Sequence, residues 1–589
     1  MKFSIKKIFL NVGILSSMLM ATSSCKEVFD LQPEETLTKE QVYRNLFDAD
    51  AAIIGLYGKF MNLAKQHVIL NELRADLLDV SSGADEQMVQ INNHNVQAGN
   101  VYADPRPYYE VILNCNDILK NFKIMLDQNK MKLEEYNQRV ADVTSLRTWV
   151  YLQVGIHFGE VPYVTSTIEN TADLSVLNSA PKLTLPNLVK ELIKTMETIS
   201  PVYMDPYPST NTLVANSVDG YLLNKMFINK HVLLGDLYLW DNQYLKAATT
   251  YKLVMETATR LGYDINTGEI FFGLYKIKYA ETNPLTNTIN ARDIGVIYTS
   301  GRNDINALID NNDLGWRSIF ARKNTDAGYN YEWIWSLPFD ATFNPQNPFI
   351  DLFTNRVQPS EQSISMWNSQ KQNNNFLFDA RGRMSYKTIN GKPTVMKYLY
   401  NYIDPSTSLS LGNANFGKGQ WWLYRAATLH LRYAEAANRD GRRKLAFALM
   451  NQGIGSTYNG TSSDKTNLMN TFDVPPYDFD ARNGDNPSFR ASWYRNTGIR
   501  GRASLQSVPV VGDSTISIEN SLIQESALEL AYEGQRWADL VRVASRRNDP
   551  AFLADKIYDK LKKANNPNAE AVRTKLMDKS NWYLPFNLK

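Results

Sequence analysis

The chain has 589 residues, 43% of them apolar, with 63 basic against 61 acidic side chains and a formal charge of +2. That balance excludes a polybasic nucleic-acid binder and an acidic disordered chain. At roughly 150 residues per domain the length admits three or four compact units, or equally one large helical array. The 32 Tyr, 24 Phe and 11 Trp supply rings both for packing and for stacking on a ligand.

Lys2, Lys6 and Lys7 open the chain, and Ile8 to Ala21 is largely apolar. Thr22, Ser23 and Ser24 follow, and then Cys25. This is the order of a secretory leader, and its apolar run falls short of the ~20 residues that span a bilayer. A cysteine directly after the small residues predicts cleavage at residues 1–24 and acylation of Cys25, although Thr22 stands where such leaders usually carry Leu. Several acyl chains anchor stably where one does not, at ~0.8 kcal/mol per buried methylene. Removing residues 1–24 takes away three lysines and no acid, which turns +2 into −1. Residues 25–36 read as the lipidated tether. Cys115 then stands alone in an amphipathic stretch as a buried small hydrophobe, and no intrachain disulfide is expected.

Helical periodicity dominates the next part. Thr38-Lys-Glu-Gln is a capping-box pattern ahead of a helix over 41–61. Further helices are predicted over 108–126, 133–158, 185–199, 221–240 and 243–259. In the last two, Gly235, Ala247 and Ala248 sit where two helices must cross closely, which is the logic of tetratricopeptide pairs. A second such pair runs over 423–438 and 445–451, with a turn at 439–441. Between these pairs, residues 70–107, 260–420 and 455–520 are rich in Asn, Pro, Gly and aromatics, with strand-like runs at 295–299 and 332–337. Loops of that length in a folded chain are functional or disordered, and their aromatic content argues against disorder. The reading is a mostly α scaffold of degenerate helix pairs bearing an elaborated, loop-rich surface.

No His-Glu-x-x-His, zinc spacing, P-loop or Gly-x-Ser-x-Gly occurs. Of His67, His94, His157, His231 and His430, three lie in apolar helical runs and are expected in the core. Asp264-Ile-Asn-Thr-Gly-Glu lacks the spacing and the distal Glu of a calcium loop and reads as a surface turn. Cofactors are therefore expected to be none; a structural calcium has no clear motif behind it. Glu533, Arg536 and Asp539 read as a network pinning the last large helix to the body. Arg495, Arg500 and Arg502 are expected to satisfy loop carbonyls and acids.

Five segments resemble the SusD/RagB-like outer-membrane lipoproteins of Bacteroidetes. They are the leader followed by Phe29-Asp-Leu-Gln-Pro, the helix from Ser145 ending in Phe158-Gly-Glu-Val-Pro, the stretch Tyr424-Arg-Ala-Ala-Thr-Leu-His-Leu-Arg-Tyr-Ala-Glu-Ala-Ala-Asn, Gly498-Ile-Arg-Gly-Arg-Ala, and Glu525-Ser-Ala-Leu-Glu-Leu-Ala-Tyr-Glu-Gly-Gln-Arg-Trp. The tail Trp582-Tyr-Leu-Pro-Phe is similar to the family's ending. The resemblance implies a SusD-like domain over 37–589, with an N-terminal part over about 37–260 and a RagB/SusD C-terminal part over about 261–589. It implies an outer-membrane, lipid-anchored, cell-surface protein without catalytic activity. It would capture an oligosaccharide, or alternatively a peptide, and deliver it to a SusC-like TonB-dependent transporter. A glycan-degrading enzyme is the rival class.

A sugar is gripped by flat rings on its C–H face and by Asp, Asn or Arg on its hydroxyls. Two loop regions hold that mixture. In 76–109, Asp79, Asn92, His94 and Asn95 are the polar candidates, and Tyr102 stands in for the Trp often found in the family's corresponding stretch. In 311–343, Trp316 is the expected stacking ring beside Arg317, whereas Trp333 and Trp335 share one strand face and are expected in the core. Trp367, in a polar loop, is the second stacking choice.

Overall fold

The computed structural model describes residues 42–167, 180–255 (except 209, 216 and 219), 294–298, 307–321, 332–458 (except 413), 475–478 and 498–588. The leader, Cys25, the tether, the turn at Asp264 and Arg495 lie outside the described residues. The first described long helix, α1 (Leu46–Met61), starts later than the capping box suggested. Asn45 caps it, its side-chain oxygen accepting from the amides of Phe47 and Asp48.

The next principal helices are α2 (Arg106–Asp127), α3 (Leu133–Phe158), α4 (Leu185–Glu197), α5 (Lys230–Trp240) and α6 (Tyr244–Met255). In the C-terminal part they are α7 (Ala426–Arg439), α8 (Arg443–Met450), α9 (Ser514–Glu529), α10 (Arg536–Arg547), α11 (Ala551–Lys563) and α12 (Ala569–Leu576). α2 packs on α3, α5 on α6, α7 on α8 and α11 on α12 as antiparallel neighbours joined by short turns. The array continues from α6 onto α7, although residues 256–425 separate them in sequence. Gly235 explains the α5–α6 crossing: a Cβ there would meet the Tyr251 ring at 2.5 Å. Ala247 and Ala248 are wholly buried in the same seam.

Two expected helices begin later than their apolar pattern. Residues 221–222 form a strand, and α5 starts only after Asn229, which caps Val232. Residues 419–425 form a strand, and α7 starts at Ala426. Gln420-Trp-Trp-Leu-Tyr favours the pleated state because its rings pack on both faces of a buried ribbon. That ribbon pairs β2 (Trp333–Phe339) antiparallel with β6 (Gly419–Arg425), and every residue in both strands is buried. Trp333 and Trp335 are in the core as expected, and Phe60 stacks on Trp335 and Trp421.

The remaining strands are short and build the loop face. β1 (Leu78–Val80) pairs with β3 (Val357–Pro359), placing Asp79 opposite Gln358. β4 (Tyr386–Ile389) and β5 (Lys392–Val395) form a hairpin through Asn390-Gly391. Both turn residues have positive φ, the backbone that lets a two-residue turn match the strand twist. No helix among the described residues is long and apolar enough to cross a membrane.

Candidate functional site

The arginines that a ligand with acidic groups would need are committed to a buried knot. β6 ends in extended Arg425, whose guanidinium meets Glu332 at 2.6 Å, Glu529 at 2.7 Å and Glu533 at 2.8 Å. Arg381 meets Asp379 at 2.6 Å and Glu525 and Glu529 at 2.7 Å. Arg502 pairs with Glu332 and Glu529, Arg500 with Glu525, and Lys397 with Glu533. Five cations thus face five carboxylates. Burial works against the charge on Glu529, yet Arg502, Arg425 and Arg381 hold its carboxyl well below the usual range. Burial likewise opposes the charge on Arg381, and Asp379, Glu525 and Glu529 hold its guanidinium well above its ordinary value.

A second cluster fastens the start of α10. Glu72 accepts the backbone amides of Tyr532 (3.1 Å), Gly534 (2.8 Å), Gln535 (2.9 Å) and Arg536 (3.4 Å). A carboxylate at a helix N-terminus satisfies amides that have no intrahelical partner. Burial pushes Glu72 up to about 7 against those four amides. Arg536 grips Asp76 through two bonds of 2.6 and 2.8 Å. Asp539 pairs with Arg542 and Arg432. The pinning network read from Glu533, Arg536 and Asp539 is therefore present, with Glu533 in the turn before α10 rather than on it.

The accessible chemistry lies on the loop face. A groove of about 340 Å³ opens where the 80–83 loop, the 355–358 segment, the 389–394 hairpin and the 403–408 loop converge. Ser81, Asn355, Gln358, Asn390, Lys392 and Thr394 give it hydroxyls, amides and one ammonium. Phe353, Ile389 and Ile403 supply apolar wall. The loops are tied to one another: the Ser81 amide donates to the Arg356 carbonyl, Arg356 to the Gly83 carbonyl, and Lys392 to the Ser82 hydroxyl. Gly83 permits this approach, since a Cβ would lie 2.4 Å from the Asn355 carbonyl oxygen. Beyond Ile403, the Tyr402 ring meets Phe416 at 6.2 Å. Phe416 is 44% exposed and Leu409 is 67% exposed. The Asn347 amide donates to the Gly417 carbonyl, which holds the loop carrying exposed Phe343 alongside.

The structure distributes the sequence-derived candidates unevenly. Trp316 is wholly buried against Phe320, with the Lys397 ammonium over its ring and its indole N–H on Glu529, so it has no face left for stacking. Trp367 lies on the helix Glu361–Asn368, not in a loop. It is buried between Tyr386 and Tyr532, and its N–H donates to the Leu528 carbonyl. Both corrections have one cause: each indole N–H found an internal acceptor, which frees the ring to fill the core. Arg317 is held by Asp310 and Asn312 and lies over the Tyr400 ring at 3.7 Å.

Tyr102 is buried, and its hydroxyl donates to Asp85 at 2.8 Å. Asn92 is buried between Asp79, to which it donates, and Lys560, from which it accepts. His94 is buried with its ring N–H on the Arg74 carbonyl, and burial with nearby Arg74 and Lys560 holds it neutral. Asp79 is half-buried in β1, next to the Ser81 wall of the groove. Asn95 is exposed and with His94 lines a separate cavity of about 270 Å³ beside Lys575. The candidates therefore do not converge on one surface.

The residues that reading missed had usable signals. Asn390-Gly391 between two strand-like runs is a strong hairpin mark. Phe343 in Asp-Ala-Thr-Phe-Asn-Pro and Phe416 in Asn-Ala-Asn-Phe-Gly stand among turn formers, with no periodic neighbours to bury them. His157 and His430 are core as expected, whereas His231 reaches Asp205 at the surface. Cys115 is buried, which pushes its thiol up to about 12. No group of three or more His, Cys, Asp or Glu side chains placed to hold a metal occurs among the described residues.

The same architecture recurs in solved structures. A SusD superfamily protein from Bacteroides vulgatus superposes with a TM-score of 0.57 at 14% identity, covering 93% of this chain and 96% of its own. One from Bacteroides thetaiotaomicron gives 0.54 at 16%, covering 92% and 95%. Surface glycan-binding protein A from Bacteroides uniformis gives 0.50 at 16%, covering 91% and 95%. No curated protein matches the chain. The fold is thus SusD-like over nearly its whole length. Residues 344–587 match the SusD family in sequence.

Proposed function

We propose that this protein is a cell-surface binding lipoprotein that holds an oligosaccharide in the groove between Ser81 and Ser408 and releases it unaltered to a SusC-like TonB-dependent transporter. One observation carries the reading: amides and hydroxyls line a preformed groove, and the loop that closes it at Ile403 and Ser408 follows Tyr402, whose ring meets the exposed Phe416. Amides and hydroxyls both donate and accept, as the hydroxyl rim of a sugar requires, and a ring suits its C–H face. Likeness to proteins described as carbohydrate- and glycan-binding supports the ligand class. Anchoring through Cys25 would keep the groove outside the cell. Asp79 and Asn95 are the residues of the first candidate set that retain accessible side chains, with Asp79 at the groove's edge.

Affinity electrophoresis against a polysaccharide panel tests this. Retention should weaken with Asn390→Ala and with Phe416→Ala, and the products should show no shortened chains. Shortened chains would make the protein an enzyme. Retention of peptides but of no glycan would favour a peptide carrier.

A further inference from the structure

A second surface, distant in sequence from most of the groove, combines cations with exposed aliphatic side chains. The 505–512 segment runs beside the 371–378 turn: the Gln506 amide donates to the Lys371 carbonyl and its side chain to Asn375. Its tip, Pro509-Val-Val-Gly512, turns at a glycine with φ +69. Val511 is 75% exposed, Val510 43%, and on the neighbouring turn Leu377 64% and Phe376 45%. Between this tip and the start of α8 lies an open groove of about 630 Å³. Leu445, Phe447, Tyr458 and Ile518 form its apolar lining, and Arg443 and Lys444 are exposed at its edge.

Arg442, Arg443 and Lys444 outnumber the two exposed acids nearby, Asp440 and Asp513. Asp513 caps α9 by accepting the Ile516 amide, Asp440 accepts from the Tyr477 hydroxyl, and Glu519 is buried against Arg439 and Arg547. Exposed aliphatic tips beside cations match an interface that is apolar below and anionic above. They offer few hydrogen-bond partners for the hydroxyls of a neutral glycan.

We propose that this face docks on a lipid surface bearing phosphorylated headgroups, with Val510, Val511 and Leu377 entering the interface and Arg443 and Lys444 on the phosphates. The proposal is independent of the glycan groove, so either can fail alone.

Hydrogen exchange of residues 505–513 in the full chain tests it, with phosphatidylglycerol vesicles, with phosphatidylcholine vesicles and with none. Exchange at the tip should slow by about tenfold with phosphatidylglycerol alone, the factor for a tip docked about nine-tenths of the time. Arg443→Glu with Lys444→Glu should abolish the slowing, and so should Val511→Asp, each with an unchanged unfolding midpoint. Equal exchange in all three conditions overturns the proposal, as does equal slowing on phosphatidylcholine or indifference to both variants. Slowing by a soluble sulfated polysaccharide without vesicles also overturns it and assigns the groove to an acidic glycan.

Discussion

The charged knot around Glu529 and the groove beside Asn390 use similar residue types in opposite ways. In the knot, Arg, Glu and Trp satisfy one another and exclude water: Trp316, Arg381, Arg425 and Arg502 are essentially unexposed. In the groove, Ser81 and Lys392 each spend one donor on a neighbouring loop while their atoms stay at the surface, and Phe416 keeps an exposed edge. The difference is where each polar atom finds its partner. A side chain whose polar atoms are all satisfied inside the fold can be buried, and one whose polar atoms reach the surface remains available to a ligand.

The comparison breaks most visibly if the knot is disturbed without consequence. Glu529→Gln leaves Arg381, Arg425 and Arg502 short of a carboxylate, and urea unfolding should register a loss of about 3–5 kcal/mol. Trp316→Ala should cost a similar ~3–5 kcal/mol through the cavity it leaves, and the folded fraction should retain glycan normally. If retention fell while stability held, the ring would be a ligand contact after all.

His67 sharpens the same contrast through pH. Burial lowers its pKa to about 3, below the ordinary value near 6.5. Its contribution is fully present above about 6.5 and is lost as pH falls toward 3, at ~1.4 kcal/mol per unit. Replacing it by Gln should flatten the pH dependence of the urea midpoint by about one proton over that window. The smallest effect belongs to the groove: Phe416→Ala should weaken glycan retention by roughly fivefold, about 1 kcal/mol, with the thermal midpoint unchanged.

Much of the scaffold was legible because helix pairing leaves a local record. The pattern over 133–158 coincides with α3, and Gly235 marked the tightest crossing. Residues 423–425, the end of the strand over 419–425, were read as helix because their apolar run continues without a break into α7. Only the pairing with β2, distant in sequence, decides between the two states. The site was less legible for a similar reason. Trp316 and Phe416 both sit among Asn and Gly, and what separates them is Glu529, more than two hundred residues from Trp316 and about a hundred from Phe416. Burial of Tyr102 and Trp367 also depends on partners that no local pattern names.

The corner at Tyr532–Arg536 bears on how this polypeptide can be divided. Tyr532 adopts a positive φ, the amides of Tyr532, Gly534, Gln535 and Arg536 donate to Glu72, and the Arg536 side chain donates to Asp76. A fragment comprising only 344–587 would carry that corner without its counterparts. Such a fragment should collapse into inclusion bodies, and adding back a separately made piece containing 42–167 should restore soluble material. The C-terminal part is therefore half of an interlocking joint, and severing the polypeptide in its middle would leave two pieces that each lack the other's keystone.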